Sequence, residues 1–267
     1  MGVIKIIVKF YVTLIKSKME YRFNFFMEIF INIFTYILSY MGIWIILDKF
    51  QTINGWNYYE VMLLYNFNLV TYGLASFLFY NPMRSLDNIV KSGDFDSMLT
   101  KPINPFLYTL LKQSYLGFLG HIFLGITVFM ICFDKLDINW SIDKFILFLI
   151  MLVGGTLIQA SIMIFSGALS LKFLQATAVM DTLIYSVRKF IEYPIEIYDK
   201  YIQIMLVFIV PYAFVSFFPA EYLLGKQDNL IPLTLLKFGT IMIGCIMFYI
   251  SYLFFMSSIN KYQSTGS

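Results

Sequence analysis

The fold is decided by residues 81–105, which read NPMRSLDNIVKSGDFDSMLTKPINP. This stretch is the longest polar interruption in a very apolar chain, and its turn residues are those of folded structure. Asn81 and Pro82 favour the start of a helix, because asparagine caps helix N-termini and proline fits the first helical position. Gly93 favours the end of that helix, since glycine readily adopts the left-handed conformation.

A second, very short helix is predicted directly after this glycine. Asp94 is a suitable N-terminal cap, and Phe95, Met98 and Leu99 follow at i, i+3 and i+4 on one face. Pro102 ends the helix, because the residue before a proline avoids helical angles. The sequence therefore predicts a short helix with one apolar face.

This short helix lies between two apolar segments that are long enough to cross a membrane. Asn104 and Pro105 repeat the cap-and-proline signal and open the second of these segments. An apolar face in such a loop favours two interpretations. The helix docks into a partner, or it forms a tight loop that lies on the bilayer, and spacing alone does not choose between them.

The composition indicates an integral membrane protein. The chain has 267 residues, of which 60% are hydrophobic, 19% aromatic and only 13% charged. A soluble domain carries about twice that charged fraction. The apolar residues also gather in runs longer than the about 18 residues that mark a membrane-spanning helix.

The placement of the positive charges predicts an orientation. The net charge is +3, and lysine and arginine concentrate in residues 1–22 and again at Arg84, Lys91 and Lys101. Under the positive-inside rule both regions are cytoplasmic, and residues 1–22 lack the pattern of a cleavable signal peptide. Cys132 and Cys245 lie near or within apolar segments and are interpreted as buried hydrophobic residues.

Residues 3–18 predict an interfacial helix and not a membrane span. Lys5, Lys9 and Lys16 share one helix face, and apolar side chains occupy the opposite face. Such a helix lies flat on the cytoplasmic leaflet with its apolar face in the lipid. The alternative is an ordinary cytoplasmic tail.

Five apolar segments predict full spans, and two others are ambiguous. The five are 24–47, 58–80, 106–133, 144–171 and 231–257. With both termini inside, only one of the two remaining segments crosses. We interpret 173–193 as the fifth span and 201–222, broken by two prolines, as a re-entrant hairpin from the outer face. The alternative places 173–200 in the cytoplasm and makes 201–222 the fifth span.

Short motifs carry a resemblance to a known family. Residues 93–102, with Gly93-Asp94-Phe95-Asp96, Leu99 and Lys101-Pro102, resemble the G-x-[LF]-[DE]-x-x-L-x-[KR]-P segment of ABC-2 type permeases, in particular the small single-module permeases. The likeness extends to Tyr193-Pro194, to 211–214 and to 218–220. In its pattern of spans it covers nearly the whole chain.

The resemblance implies one all-α transmembrane domain over residues 1–267. It has six transmembrane helices, an elbow helix at 3–18, a cytoplasmic coupling segment at 81–105 and an outer re-entrant hairpin at 201–222. It implies the permease subunit of an exporter for a drug, antibiotic, peptide or lipid-like substrate. The location implied is a bacterial plasma membrane, with both termini cytoplasmic.

The same resemblance implies partners and site residues. The chain pairs with a second permease, alike or homologous, and with a separate ABC ATPase that binds ATP and Mg; no cofactor and no catalytic or metal site is expected here. Gly225-Lys226 lacks the remainder of a phosphate-binding loop. Pro211 and Pro219 are the expected outer gate. ATPase docking is assigned to Gly93, Asp94, Phe95, Asp96, Met98, Leu99 and Lys101.

Four ionisable residues within the spans are candidate functional positions, because such residues are costly in a membrane. Glu28 and Lys112 lie close enough to their span ends to reach the interface, and His121 alone favours helix packing. Asp181 is deeper if 173–193 crosses. Rival functions are a stand-alone channel or substrate-binding membrane subunit without an ATPase, and an intramembrane enzyme, for which no catalytic cluster is visible.

Overall fold

The computed structural model describes residues 9–10, 12–13, 16, 19–112, 116–173, 177–226 and 233–262. Within these ranges all regular structure is helical, apart from one isolated bridge between Ile53 and Trp56. The interfacial helix predicted at 3–18 falls largely outside the described residues and stays a prediction.

Ten α-helices follow one another along the described chain. They are α1 Arg22–Phe50, α2 Tyr58–Lys91, α3 Asp94–Leu99, α4 Pro105–Lys112, α5 Leu119–Lys135, α6 Ile142–Leu169, α7 Thr177–Asp181, α8 Lys200–Ile204, α9 Phe217–Leu224 and α10 Leu233–Asn260. Helix α7 continues as a π-turn at Thr182–Ser186 and a 3₁₀-turn at Val187–Glu192. Helix α8 continues as a π-turn at Met205–Ile209.

Helix α2 is the centre of the bundle. A capping box begins it, in which the Asn57 side chain accepts from the Glu60 amide and the Glu60 side chain accepts from the Asn57 amide. Its 34 residues make it about 51 Å long, against about 30 Å for the hydrocarbon core of a bilayer. Helices α5 and α6 pack along it, so most of its side chains are buried.

The helix start predicted at Asn81-Pro82 is wrong, because α2 runs through both residues to Lys91. A proline inside a helix loses one hydrogen bond and costs about 3 kcal/mol. Here Pro82 and its neighbours Phe79, Met83 and Leu86 are all buried in one continuous packed face. Packing on both sides of the proline therefore outweighs the local signal.

The third predicted span, 106–133, is two helices and not one. Helix α4 ends at Lys112, and α5 begins at Leu119 after a tight turn in which Leu119 N–H donates to the Leu116 carbonyl at 3.1 Å. Residues 113–115 lie outside the described ranges. The Asn32 amide of α1 donates to the Gly117 carbonyl at 3.3 Å, so a polar side chain stabilises the break.

Two turns define the two ends of the bundle. At the Gly93 end, the chain leaves α2 through Gly93 at φ 75°. At the Gly55 end, Asn54 and Gly55 have φ 49° and 80° and form the turn between α1 and α2. The names Gly93 end and Gly55 end imply no orientation in the membrane.

The segment 177–197 runs beside α2 from the Gly93 end to the Gly55 end. Asp181 pairs with Arg84 near the first end, and the Glu196 carboxylate accepts from the Asn54 amide (3.1 Å) and the Trp56 indole (3.3 Å) at the second. This path fits the interpretation of 173–193 as a crossing segment.

The segment 198–226 enters and leaves at the Gly55 end. Its two arms, Lys200–Ile209 and Tyr212–Leu224, are bent by 76° to one another. The Lys226 ammonium donates to the Gly55 carbonyl and to Glu60, both at 2.7 Å, which returns the chain to that end. This path is the one expected for a re-entrant hairpin, although its place in a membrane stays a prediction.

The bend of this hairpin is at Pro211, and our expectation of a bend near Pro219 is wrong. Val210 and Pro211 leave the helical region with ψ of 87° and 52°. Pro219 is the third residue of α9, where its missing N–H would have no helical partner. A proline in the first turn of a helix continues that helix, which the pattern of prolines alone does not reveal.

Four described helices are long and apolar enough to cross a membrane, namely α1, α2, α6 and α10, and the bent pair of the hairpin passes the same test as a unit. Helices α6 and α10 cross at Gly154 and Gly244, where a Cβ on Gly244 would lie 2.5 Å from the Gly154 carbonyl oxygen. The chain is a multi-pass membrane protein; the count of six spans stays a prediction.

Candidate functional site

Within the coupling segment 81–105, the loop 92–104 is held to its own chain by its apolar face. Phe95 and Met98 are only 0% and 1% exposed, and Leu99 is half-buried. The Phe95 ring lies 5.1 Å from the Tyr262 ring, beyond the end of α10. This differs from the expectation that the apolar face is presented to a partner, because the chain itself supplies the apolar surface that the helix needs.

The C-terminal end of the coupling segment packs against α10. The Asn104 side chain caps α4 by accepting from the Phe106 amide at 2.9 Å, as the sequence predicts. Its amide also donates to the Tyr252 hydroxyl at 3.4 Å. The Phe106 ring packs edge-on to Tyr252 and Phe255 of α10, at 5.3 and 5.0 Å between centroids.

The outward side of the coupling segment is a polar ledge. We define the ledge as the exposed residues Asp94, Ser97, Thr100 and Lys101. The Ser97 hydroxyl donates to the Asp94 carbonyl (2.8 Å) and the Thr100 hydroxyl to the Ser97 carbonyl (2.9 Å), so local bonds fix this surface. Gly93 and Asp96 are half-buried beside it.

The ledge carries an ionised surface beside a neutral phenol. Burial and the charge of Asp96 raise the pKa of Tyr262. The phenol therefore stays protonated at neutral pH, and its ring keeps its apolar contact with Phe95. The contact that fastens the ledge is thus insensitive to pH in the physiological range.

Polar pairs join α2 to the segment 177–192 near the Gly93 end of the bundle. Arg84 forms a two-pronged ion pair with Asp181, whose second contact is 3.2 Å, and also donates to the Tyr80 hydroxyl at 3.0 Å. The Tyr80 and Tyr185 hydroxyls are hydrogen-bonded to each other. The predicted candidate Asp181 is therefore a partner in an ion pair between two elements.

A buried polar cluster surrounds Asn68, halfway along the predicted span 58–80. The Gln159 amide donates to the Asn68 carbonyl (3.2 Å) and to the Thr71 hydroxyl (2.9 Å). The Arg188 guanidinium donates to Asn68 Oδ1 at 3.2 Å and lies 3.8 Å from the Tyr72 ring. The polar face of α2 is visible in the sequence, but its partner Gln159 gave no signal there.

The remaining ionisable candidates, His121, Lys112 and Glu28, differ in their burial. His121 is buried among the rings of Tyr36, Tyr72 and Phe118, at 4.7, 5.8 and 5.3 Å between centroids. Lys112 is exposed at the last residue of α4, and Glu28 is half-buried in α1. The structure brings His121 next to the Arg188 cluster and keeps the other two away from it.

The hairpin encloses a cavity of about 610 Å³ at the Gly55 end. Its walls are the two arms and α10, and they combine aromatic and charged side chains. Pro211 lies at the tip of the hairpin and is buried, as is Pro219 in the returning arm. Both expected gate residues therefore belong to one folded unit, and its role as a gate stays a prediction.

Taken together, the apolar crossing helices and the fastened loop define a membrane-embedded helical bundle. A family model described as "ABC-2 family transporter protein" matches residues 17–266. The chain therefore belongs to the ABC-2 transporter family and is a membrane permease of that family. Comparisons with curated proteins and with solved structures find no match.

Proposed function

We propose that this chain is the permease subunit of an ATP-driven exporter whose ATPase is a separate subunit. The ledge contacts the ATPase, and a second permease chain, the same or homologous, completes the transport route. ATP and Mg belong to the ATPase, and the chain itself catalyses no reaction. The cargo is a drug, antibiotic, peptide or lipid-like molecule that leaves through the Gly55 end.

The observation that carries this proposal is the fastening of the coupling segment. A loop that merely lies on a bilayer would turn its apolar face to the lipid. Here Phe95 and Met98 are buried against the chain, and the polar ledge faces outward. A polar, locally hydrogen-bonded surface on a rigid base is suited to receive force from a soluble protein.

The fastening also supplies a path for that force. The ledge is continuous with α2 through Gly93. Its neighbours Phe95 and Asn104 contact Tyr262, just beyond the end of α10, and Tyr252 of α10. Helix α10 crosses α6 at the close approach of Gly154 and Gly244. A displacement of the ledge therefore reaches three long helices, and the two ATPase states would favour different positions of them.

The hairpin is the proposed outer gate. It begins and ends at the end of the bundle opposite the ledge, and its exposed side chains include Phe208 and Ile209. These apolar side chains fit against the hairpin of a second permease chain. Movement of α10, which lines the hairpin cavity, would change the separation of the two hairpins.

Copurification tests the ledge. Asp94→Arg with Ser97→Arg should abolish recovery of the ATPase with the permease, because two exposed residues at the contact change size and charge. Membrane insertion and detergent-solubilised size should not change. The matched control is Asp137→Arg with Asn139→Arg, two exposed positions at the Gly55 end.

The outcome contradicting the proposal is equal recovery of the ATPase with the ledge variant and with wild type. Recovery of no ATPase with the wild-type chain, when candidate ATPases are coexpressed, would favour the stand-alone channel or binding subunit. Phe95→Asp is a less informative variant, since it removes a buried contact and would detach the whole ledge.

A further inference from the structure

The outward face of the segment 177–192 combines polar and apolar side chains. Its exposed residues share one stripe and are Ala178, Val179, Thr182, Tyr185, Ser186 and Lys189. Two of them carry a hydroxyl on a short side chain, one is a phenol and one is a cation. We call this set the polar stripe.

The predicted span 58–80 would place the stripe near the middle of the membrane. Arg188, next to Lys189, is hydrogen-bonded to Asn68, which is the eleventh residue of the 23 in the apolar stretch 58–80 of α2. About 20 residues of helix cross the hydrocarbon core, so the centre of this stretch lies near the midplane. Lys189 is therefore about 15 Å from either interface, farther than a lysine side chain of about 6 Å can reach.

A lysine at this depth does not face lipid. Ionisable residues within membrane spans turn toward protein or a water-filled cavity. Because the fold of this chain leaves Lys189 exposed, the cover must come from outside the chain. Irregular backbone points the same way, since the π-turn and the 3₁₀-turn of 182–192 form a type of helix distortion that recurs at functional sites.

The local charge is positive. Arg188 and Lys189 are adjacent, and the Glu192 carboxyl interacts electrostatically with both. The described contacts of Arg188 are with neutral groups, namely Asn68, the Ile184 carbonyl and the Tyr36 and Tyr72 side chains. Two cations and one carboxylate leave a net charge of one positive unit in a low-dielectric region.

We propose that the polar stripe is one wall of a water-filled route between two permease chains, where Lys189 binds the acidic group of an amphiphilic cargo. The acidic group is a carboxylate or a phosphate. Ser186 supplies a hydroxyl for the same group, whereas the Thr182 hydroxyl donates to the Ala178 carbonyl at 2.9 Å. Val179 and Tyr185 supply apolar contact for the hydrocarbon part. This inference rests on the proposed function, because the route requires a second permease chain.

Cysteine accessibility tests the route without an ATPase. In a Cys245→Ser background, with buried Cys132 retained, Ser186→Cys is labelled in membranes by anionic and cationic methanethiosulfonate reagents. We expect Ser186→Cys to react with both and to favour the anionic one. Phe34→Cys in α1 is the control, since Phe34 is 51% exposed at similar depth on an apolar face and should not react.

Variants at Lys189 test its part in the site. Lys189→Gln should lower the ratio of anionic to cationic labelling at Ser186→Cys by about tenfold, because one unit charge acts at short range on the approaching reagent. Lys189→Arg should keep the ratio. An unchanged ratio in Lys189→Gln, or Ser186→Cys reacting no faster than Phe34→Cys, overturns the proposal.

Protection from labelling tests the cargo class, with dodecyl phosphate, inorganic phosphate and dodecyltrimethylammonium as probes. Protection by dodecyl phosphate alone supports an acidic amphiphile, and this protection should be lost in Lys189→Gln. Protection by inorganic phosphate as well overturns the amphiphile and leaves a general anion site. Equal protection by the cationic detergent, or none by any probe, overturns the site. Failure of the wild-type chain to copurify any ATPase would refute the proposed function alone and leave these results unaffected.

Discussion

Helix α1 and the segment 177–192 both present one side to the outside of the bundle, yet those sides differ in kind. On α1 the exposed residues at mid-depth include Phe34, Leu38 and Met41, all apolar. On 177–192 they are Thr182, Ser186 and Lys189. Helix α1 is long and apolar enough to cross a membrane by itself, whereas 177–192 contains four charged residues and is not among the helices that are. The difference teaches that the two surfaces suit different surroundings, lipid for the first and, on our proposal, another permease chain for the second.

The comparison depends first on which end of the bundle faces the cytoplasm. Charge placement predicts that the Gly93 end does. In intact cells, an impermeant thiol reagent should label Asn54→Cys and not Ser92→Cys, both of which are exposed positions. Ser264→Cys, outside the described residues, should also stay unlabelled.

This labelling is all-or-none and is the largest effect expected. Permeabilised cells are the control, where Ser92→Cys should become reactive. Labelling of Ser92→Cys in intact cells, with Asn54→Cys protected, would reverse the orientation and turn the ledge away from any cytoplasmic ATPase.

A lysine placed on the outward face of α1 should affect membrane insertion very differently from a lysine placed on the polar stripe. Phe34→Lys on α1 should reduce membrane insertion, since a lysine at the centre of a lipid-facing helix costs about 3 kcal/mol. Thr182→Lys on the polar stripe should insert as wild type does. The measurement is the fraction of chain recovered in the membrane after expression, compared at matched synthesis. Equal loss in both variants would mean that the two faces share one environment.

The inner crossing of α6 and α10 gives the next effect. Gly154→Ala places a Cβ 2.7 Å from the Ile241 backbone nitrogen, where no side chain can give way. We expect a loss of about 2 kcal/mol, typical of overpacking at a tight contact, measured as a lower midpoint of thermal unfolding in detergent.

Gly42→Ala is the matched control on the lipid-facing helix. Its Cβ would meet nothing within 4 Å, so the unfolding midpoint should stay or rise slightly, because alanine favours a helix over glycine. A Gly154→Ala variant as stable as Gly42→Ala would show that α6 and α10 are not held at this close distance.

Local turn chemistry could be predicted from the sequence better than the long helices. Gly93 adopts the left-handed conformation and Asn104 caps a helix, as their types indicate. The prediction at Pro82 was wrong, because a cap-and-proline signal depends only on neighbouring residues. It does not include the packing that lets α2 continue past the proline. The break before α5 has no proline, and its stabilising partner, Asn32, is 85 residues distant.

The candidate site shows the same limit. The apolar face of Phe95, Met98 and Leu99 was visible, but a pattern does not say whether such a face turns to a partner or to its own chain. The answer depended on Tyr262, far along the chain. The polar face of α2 was visible too, whereas the position of Lys189 beside it depended on the path of the irregular segment 177–192.

The smallest expected effect concerns the ion pair between Arg84 and Asp181, which lies at the Gly93 end of the polar stripe. Arg84 and Asp181 are 38% and 40% exposed, so water screens them partly, and a double-mutant cycle with Arg84→Gln and Asp181→Asn should give a coupling of about 1 kcal/mol. The more exposed pair Lys135–Asp134 is the control and should give a coupling near zero. If the stripe faces water in a route, the Arg84–Asp181 coupling should weaken as salt rises, because counter-ions reach the pair. A coupling free energy that does not change with salt concentration would place this pair in a dry interface. The water-filled route would then begin nearer the midplane of the membrane than the polar stripe does.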